Sequence, residues 1–394
     1  MPTASGLTTT SSSRARIGID YTPAQEQGGG IGRYVRQLVT ALARLDQTNE
    51  YRLFVAGTSE STLPPAPGSN FEWAAVPVSA RNFARLWHRL HLPLPVELFT
   101  GHVDLYHATD FVLPPLLAST RSLLTVHDLS FVRVPEATSP RLKAYLDRVV
   151  PRSVHRADHV LADSQATKDD LVALYAVPPH KITVLLSGVD PRFKPVNDPE
   201  TLADVRQKYF LPERPYILSV GTVQPRKNYG RLIEALARLR AAGRSIDLVI
   251  VGGRGWLEDP IYAAIQRAAV HDYVHFTGFA DDADLPALYS AAACVAVPSL
   301  YEGFGLPVLE AMACGTPVVT SNVSSLPEVA GDAALTVPPT DLDALTSALE
   351  RLLDDESLRS ALIGRGLERI KFFTWERAAQ QLLEIYITLV YEKS

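Results

Sequence analysis

Short apolar runs alternate with amphipathic helical stretches through almost the whole chain. The runs VLLSG at 184–188 and LVIVGG at 248–253 are almost entirely apolar and end in glycine. This is the pattern of strands buried on both faces of a parallel sheet. The stretches between them have helical spacing, as in Ile31–Leu45, where Tyr34 and Leu38 fall on one face. A strand–helix order of this kind, repeated twice, predicts two doubly wound α/β domains.

The predicted strands form two sets. The first set is Arg16–Asp20, Tyr51–Ala56, Phe71–Val78, Leu105–Ala108, Ser122–His127, His159–Ala162 and Ile182–Leu185. The second set is Tyr216–Val220, Leu248–Val251, His275–Thr277, Cys294–Val297, Val318–Thr320 and Leu335–Val337. Helices are predicted over Ile31–Leu45, Tyr229–Leu239, Leu306–Ala313, Asp341–Leu353, Leu358–Ile370 and Trp375–Tyr391.

A proline-rich stretch separates the two sets. At 394 residues the chain exceeds one ordinary domain of about 150 residues, and five prolines occur between 191 and 215. We therefore predict two domains that face each other across a cleft at the carboxyl ends of both sheets. The predicted segments are a disordered tail (1–13), a first Rossmann-like domain (14–190), an interdomain linker (191–214), a second such domain (215–372) and a C-terminal helix (373–394) that packs back on the first domain.

Composition excludes several classes of protein. Two isolated cysteines, Cys294 and Cys314, argue against a disulfide framework or a zinc site. No apolar run is long enough to span a membrane, and Met1–Ser13 lacks the apolar core of a signal peptide. The net charge of −5 includes no basic stripe of the kind that binds nucleic acid. We therefore expect a cytoplasmic protein that binds no nucleic acid.

The first half of the chain is mildly basic, which suits either anionic lipid or an ordinary surface. Residues 81–91 are basic and apolar at helical spacing. They could form a helix that lies on the inner face of a membrane, or one whose apolar side packs in the core. Peripheral membrane contact through the first domain is left open by this pattern.

The segment from Pro298 to Pro317 is the most specific signal in the chain. A glycine-bearing turn at 303–305 opens a helix, whose free N–H groups can bind phosphate or sugar oxygens. Glu310 in that helix can accept the paired hydroxyls of a ribose, and Glu302 before the turn can contact a sugar. Taken alone, the two glutamates fit a surface helix better, but the whole string is more specific.

This string resembles the E-x7-E segment of family 4 of the retaining glycosyltransferases, which have the GT-B fold of two facing Rossmann-like domains. The similarity extends from about Arg16 over nearly the whole chain. It implies a first, acceptor-side domain and a second domain that binds a sugar nucleotide. It also implies that Glu310 contacts the ribose and that Glu302 lies near the donor sugar. The backbone of Phe304, Gly305 and Leu306 would add contacts.

A second motif, S-V-G-T-V-Q-P-R-K-N, runs from Ser219 to Asn228. Gly221 and Thr222 end a strand, and Arg226 and Lys227 follow before a helix. Two adjacent cations at the carboxyl edge of a sheet suit a diphosphate, although an isolated Arg-Lys pair is usually a solvated loop. In the similar enzymes this pair neutralises the leaving nucleoside diphosphate in place of a metal.

Two D-x-D strings, 282–284 and 341–343, match a metal-binding pattern formally. Both stand where helices are predicted to begin, so capping and favourable first-turn charge explain them without a metal. We therefore predict no metal site and a metal-independent reaction.

The glycine loop of the first domain leads from the strand ending at Asp20 into a helix. A G-x-G-x-x-G dinucleotide fingerprint would need glycine at 33 or 35, where Arg33 and Val35 stand, and the loop after Val251 also fails. We therefore predict no nicotinamide or flavin cofactor. The family resemblance places Gly29, Gly30 and Gly32 beside the donor phosphates and the acceptor.

The remaining candidates lie at strand ends. His127 ends a strand, and the resemblance places it beside the donor sugar or the reacting centre. His107 and Asp110 could line the acceptor pocket, or serve only the fold. Gly252 is also predicted to bind substrate, and Gly278 and Phe279 could lie beside the base.

The sequence leaves donor and acceptor open. Resemblance to bacterial mannosyltransferases favours GDP-mannose over UDP-glucose, with a glycan, a lipid-linked saccharide or a small molecule as acceptor. A sugar phosphorylase, an epimerase and a non-catalytic sugar-nucleotide-binding protein remain alternatives. The oligomeric state is not predicted.

Overall fold

A computed structural model describes residues 14–90 and 92–391. The predicted tail at 1–13, His91 and the last three residues of the predicted segment 373–394 lie outside the described residues. The chain forms two parallel β-sheets, one in each half. Parallel strands buried on both faces explain why the strand sequences are almost continuously apolar.

The first sheet has seven strands in the order β3-β2-β1-β4-β5-β6-β7. They are β1 (Arg16–Asp20), β2 (Glu50–Ala56), β3 (Phe71–Val76), β4 (Leu105–Ala108), β5 (Arg121–Val126), β6 (His159–Ala162) and β7 (Ile182–Val184). The second sheet has six strands in the order β10-β9-β8-β11-β12-β13. They are β8 (Tyr216–Val220), β9 (Asp247–Val251), β10 (Val274–Gly278), β11 (Cys294–Val297), β12 (Val318–Ser321) and β13 (Leu335–Val337).

The predicted strands are all present, with ends that shift by one or two residues. The prediction Phe71–Val78 was too long, since β3 ends at Val76. Pro77 follows and has no N–H with which to continue the ladder. The predicted pair of doubly wound α/β domains is therefore confirmed.

Before β8, the described residues contain eight helices and one π-helical segment. They are α1 (Thr22–Glu26), α2 (Gly30–Leu45), α3 (Ala80–Ala84) with the π-helix Arg85–Arg89, α4 (Glu97–Thr100), α5 (Ser130–Arg133), α6 (Pro140–Arg156), α7 (Gln165–Tyr175) and α8 (Pro199–Lys208). The second half contains α9 (Tyr229–Ala241), α10 (Asp259–Ala268), α11 (Leu285–Ser290), α12 (Leu306–Ala313), α13 (Leu326–Ala330), α14 (Leu342–Asp354), α15 (Glu356–Arg369) and α16 (Trp375–Tyr391). Short 3₁₀ turns cover Glu60–Thr62, Pro135–Ala137, Pro179–Lys181, Pro225–Lys227, His271–Tyr273 and Ile370–Phe372.

The proline-rich stretch is folded onto the second domain rather than forming a free linker. Asp198 caps α8 by accepting a hydrogen bond from the N–H of Thr201, and a proline begins that helix. Phe193 and Val205 are buried in the core of the second domain. Proline here starts a helix, which is its favoured position, rather than preventing one.

Helix α16 returns to the first domain and packs on α2. Trp375, Leu382 and Tyr386 are buried in the core that also holds β1 and α2. The segment that leaves the first domain and the segment that returns to it lie side by side. The N–H of Val189 in one donates to the carbonyl of Phe373 in the other at 2.9 Å. The chain thus crosses between the domains at two adjacent points.

The basic segment that follows β3 packs by its aromatic side. Phe83 is buried, and its ring stacks on Trp87 with centroids 4.4 Å apart. Leu90 remains 61% exposed beside them. The described part of the chain contains no helix that is both long and apolar enough to cross a bilayer.

Candidate active site

A cavity of about 490 Å³ lies between the carboxyl ends of the two sheets. Both domains contribute side chains to its walls. The predicted site residues that line it are Gly29, Gly30, His127, Gly221, Thr222, Arg226, Lys227, Gly252, Phe279, Glu302, Phe304, Gly305, Leu306 and Glu310. Two motifs that are far apart in sequence therefore meet in one place.

Two cations share one buried carboxylate on the second-domain wall. Arg226 Nη1 donates to Glu302 Oε2 at 2.6 Å, and Lys227 Nζ donates to Oε1 at 2.7 Å. Burial alone would raise the pKa of Glu302, but the two cations lower it to about 2. Burial lowers the pKa of Lys227. Within this trio the two cations outnumber the one carboxylate, and the carboxylate of Asp128, which lines the cleft from the first domain, also acts on both cations.

The backbone after β8 holds these cations in place. Residues 225–227 form a 3₁₀ turn, and Asn228 follows in the left-handed region at φ 58°. The Asn228 amide donates to the carbonyls of Pro298 and Pro339 at 3.0 and 2.8 Å. Asn228 was only the end of a motif in the sequence, and its role in tying the two second-domain loops together was not predicted.

Glu310 is engaged by both domains. Its Oε2 accepts a hydrogen bond from Tyr289 Oη at 2.7 Å, and its Oε1 is paired with Arg33 Nη1. Arg33 Nη2 also pairs with Asp282 Oδ1 at 2.6 Å. Arg33 belongs to the first domain and was noted in the sequence only because it breaks a glycine fingerprint. The structure makes it an interdomain contact on the predicted ribose carboxylate.

The two D-x-D strings have different roles. Asp341 Oδ1 accepts from the N–H of Ala344 at 2.9 Å, as a capping residue does, so that prediction is confirmed. The capping explanation for 282–284 was wrong. Asp284 makes no side-chain cap to α11, and its Oδ2 instead accepts hydrogen bonds from Lys208 Nζ and Tyr209 Oη at 2.6 and 2.7 Å.

Only some glycines of the first-domain loop line the cleft. Gly29 and Gly30 line it, and a Cβ on either would meet nothing within 4 Å. Gly32 does not line it, which corrects the prediction. A Cβ on Gly32 would lie 1.8 Å from the carbonyl oxygen of Gln27, so the tight approach of α2 to the preceding loop requires this glycine. Gly278 also lies off the lining, where its carbonyl accepts from the N–H of Gly252 at 2.8 Å.

His127 is fully hydrogen-bonded inside the first-domain wall. Its Nδ1 lies 2.8 Å from Asp163 Oδ2, and its Nε2 lies 2.8 Å from the carbonyl oxygen of Thr109. Burial would lower the pKa of His127, but the charges of Asp163 and Asp110 and these hydrogen bonds raise it to about 9. The imidazole is therefore a buried cation, and Asp163, which lines the cleft, was not predicted.

His107 does not line the cleft, and of its two predicted roles the structure supports the one that serves only the fold. Its ring nitrogens bond Tyr386 Oη and Thr125 Oγ1, each at 2.8 Å, beneath α16. Burial and the charge of His127 lower its pKa to about 3. Asp110 also lies off the lining, where it accepts from Gln27 Nε2 at 3.0 Å. His107 stands within β4, so the pleat turns its side chain into the core.

The domains touch closely beside the site. A Cβ on Gly303 would lie 2.2 Å from the carbonyl oxygen of His127, so only glycine permits this approach. Tyr301 Oη donates to Asp170 Oδ2 at 2.6 Å, and Trp256 Nε1 donates to the carbonyl of Ala137 at 2.8 Å. The second-domain turn that carries Glu302 is thereby fixed against the first-domain wall.

Comparison with known families covers most of the chain. Residues 203–369 match the family described as Glycosyl transferases group 1, and residues 28–193 match Glycosyltransferase Family 4. O-antigen chain mannosyltransferase B of Escherichia coli is 34% identical, over 91% of this chain and 95% of its own. A D-inositol 3-phosphate glycosyltransferase of Salinispora tropica is 36% identical, over 93% of this chain and 82% of its own.

Solved structures show the same architecture. Sucrose-phosphate synthase from Thermosynechococcus elongatus superposes with a TM-score of 0.75 and 26% identity, over 95% of this chain and 99% of its own. WaaG, a glycosyltransferase involved in lipopolysaccharide biosynthesis, superposes with a TM-score of 0.70 and 22% identity, over 94% and 99%.

Proposed function

Because the chain belongs to the group 1 glycosyl transferases and has their GT-B fold, we propose that it transfers a hexose from a nucleoside-diphosphate sugar to a hydroxyl group. The transfer retains the anomeric configuration and needs no metal ion. Arg226 and Lys227 neutralise the leaving diphosphate.

The arrangement of Arg226, Lys227 and Glu302 carries this proposal. Charge accumulates on the diphosphate as the glycosidic bond breaks, and fixed cations stabilise that charge more than they stabilise the ground state. Glu302 uses both oxygens to hold the two cations, so their positions are set before the donor arrives. Pro307 has no N–H and the Val308 N–H donates to the Gly305 carbonyl, so the N–H of Leu306 is the group at the start of α12 that can bind a further donor oxygen.

Mannose is the favoured sugar and GDP-mannose the favoured donor. The support comes from relatives that are named mannosyltransferases, above all the O-antigen chain mannosyltransferase, which matches over nearly its full length. That relative also favours a saccharide chain as the acceptor. UDP-glucose is the competing donor, and a protein that binds sugar nucleotides without catalysis is the competing class.

The test is turnover by the purified full chain. GDP-mannose and UDP-glucose are each incubated with a set of mannose-containing oligosaccharides, with EDTA or with magnesium, and the release of nucleoside diphosphate is measured. We expect release from GDP-mannose that EDTA does not abolish, and an α-linked product by NMR, since retention preserves the α configuration of the donor.

Other outcomes would change the proposal at separate points. Turnover of UDP-glucose alone would change the donor, and a β-linked product would exclude retention. Activity that EDTA abolishes would remove the role given to Arg226 and Lys227. Nucleotide binding with no release from either donor would favour the non-catalytic alternative.

A further inference from the structure

Asp163 presents an unused carboxylate oxygen at the cleft wall. It directly follows β6, and its Oδ2 is bonded to His127 at 2.8 Å. Its Oδ1 is buried and has no hydrogen-bond partner among residues 14–90 and 92–391. The Asp163 side chain is only 9% exposed, yet the residue lines the cleft. A buried acceptor without a partner is costly, so such atoms in native proteins usually have a ligand or another specific function.

His127 has no hydrogen-bonding capacity left for a substrate. Both of its ring nitrogens face acceptors, the Asp163 carboxylate and the Thr109 carbonyl. Both nitrogens therefore carry protons, and both N–H groups are used inside the wall. The ring edges of Tyr34 and Phe111 pack around it, with centroids 5.1 and 5.5 Å away. Of this pair, only Asp163 Oδ1 lacks a hydrogen-bond partner within the described structure.

We propose that Asp163 Oδ1 accepts a hydrogen bond from a hydroxyl of the transferred hexose, and that His127 acts as the positioning residue that fixes the carboxylate. This assignment rests on the proposed function, because it names a sugar contact within the same cleft. A hydroxyl donates one hydrogen bond to a carboxylate without bringing a charge of its own.

The hexose is favoured over the nucleotide by the position of this wall. The carbonyl of His127 lies against Gly303, the residue after Glu302, so the wall stands directly across from the group that holds Arg226 and Lys227. A sugar attached to a diphosphate at these cations extends from them into the space beside the wall. The ribose is instead assigned to Glu310.

The first experiment replaces the carboxylate by an amide. In Asp163→Asn the amide oxygen remains with the imidazolium and the NH₂ group turns to the cleft, so a hydrogen-bond acceptor becomes a donor. Calorimetry without acceptor measures the Kd values of GDP and GDP-mannose. We expect GDP-mannose to bind about 10- to 100-fold more weakly, as for a lost hydrogen bond to a charged group, with GDP unchanged. Asp169→Asn, an exposed carboxylate on α7, is the matched control and should change neither affinity.

The second experiment removes the hydroxyl instead and uses the wild-type protein, so it does not depend on the variant folding. Four GDP-mannose analogues, each lacking one hydroxyl of the hexose, are compared. One analogue should lose about 10- to 100-fold in affinity for the wild type. The same analogue should lose nothing further in Asp163→Asn.

The assignment is overturned if Asp163→Asn weakens GDP and GDP-mannose equally, or binds both as the wild type does. It is also overturned if all four analogues bind the wild type like GDP-mannose. Wild-type protein that binds neither GDP nor GDP-mannose would instead refute the proposed function itself. The two failures are therefore distinguishable.

Discussion

The two walls of the cleft use charge in opposite ways. On the second-domain wall, two cations share the single carboxylate of Glu302, with the Asp128 carboxylate of the first domain as the further negative charge that acts on them. On the first-domain wall, the His127 cation is paired with Asp163, and both N–H groups of its ring are already hydrogen-bonded within the wall. On the proposed function, the second domain binds the anionic diphosphate and the first domain recognises neutral hydroxyls through the remaining carboxylate oxygen.

The largest expected effect tests the two cations of the second-domain wall. Lys227→Ala removes one of the two cations and should lower kcat/KM by more than about 100-fold, or roughly 3 kcal/mol of transition-state stabilisation. Steady-state kinetics with saturating acceptor measure it. Lys371→Ala, which breaks an exposed pair with Glu368 on the same domain, should leave kcat/KM unchanged. Full turnover by Lys227→Ala at saturating donor would show that this cation is not needed for catalysis. The proposed difference between the two walls would then be wrong.

The first-domain wall should contribute less to stability at alkaline pH. The folded-state pKa of His127 is about 9, above the usual value of 6.5. Its contribution to stability is therefore complete below pH 6.5 and is lost as the pH rises through about 9, a change of about 3 kcal/mol in the free energy of unfolding. Denaturant titrations from pH 6 to 10 measure this slope, and His127→Gln should reduce it. An unchanged slope in that variant would show that the imidazole is not a buried cation.

Arg33 of the first domain pairs with Glu310 of the second domain, and its removal should strengthen the binding of GDP. In the proposed binding mode the ribose of the donor displaces Arg33 from Glu310, which costs free energy. Arg33→Met should therefore bind GDP several-fold more tightly, by roughly 1 kcal/mol. Arg192→Met is the matched control, because Arg192 also approaches Asp282 but not Glu310. Weaker GDP binding in Arg33→Met would mean that Arg33 itself holds the nucleotide.

The smallest effect concerns the glycine loop. Within the described structure no protein atom lies near a Cβ placed on Gly30, so Gly30→Ala should fold normally and gain at most about 1 kcal/mol in stability. Turnover should nonetheless fall if a ligand approaches this backbone. Thermal unfolding and kinetics on one preparation separate the two effects. Gly32→Ala should instead lose stability, because its Cβ meets the carbonyl of Gln27.

The second-domain wall could be predicted from sequence because each of its two motifs is a short continuous segment. Arg226 and Lys227 are neighbours, and Glu302 and Glu310 flank one turn and one helix. The family resemblance then supplied roles that spacing alone could not. Several strands were equally readable, since they are nearly continuous apolar runs bounded by glycine, proline or aspartate.

The first-domain wall could not be read in the same way, because its residues meet only when strands pair. His107 and His127 look alike in sequence, each beside a polar residue near a strand end, yet one faces the core and the other the cleft. A signal for Asp163 did exist. Val126 pairs with Ala162 in the sheet, so the next residues, His127 and Asp163, must lie side by side. Aligning the two predicted strand ends would have found it.

Calorimetry of GDP binding in EDTA and in magnesium, with wild-type protein and Lys227→Ala, asks whether side chains or a metal receive the diphosphate on the second-domain wall. We propose that side chains do. We therefore expect the same wild-type Kd under both conditions and binding at least about tenfold weaker in Lys227→Ala. Wild-type binding that requires magnesium, or unchanged binding in Lys227→Ala, would contradict this proposal.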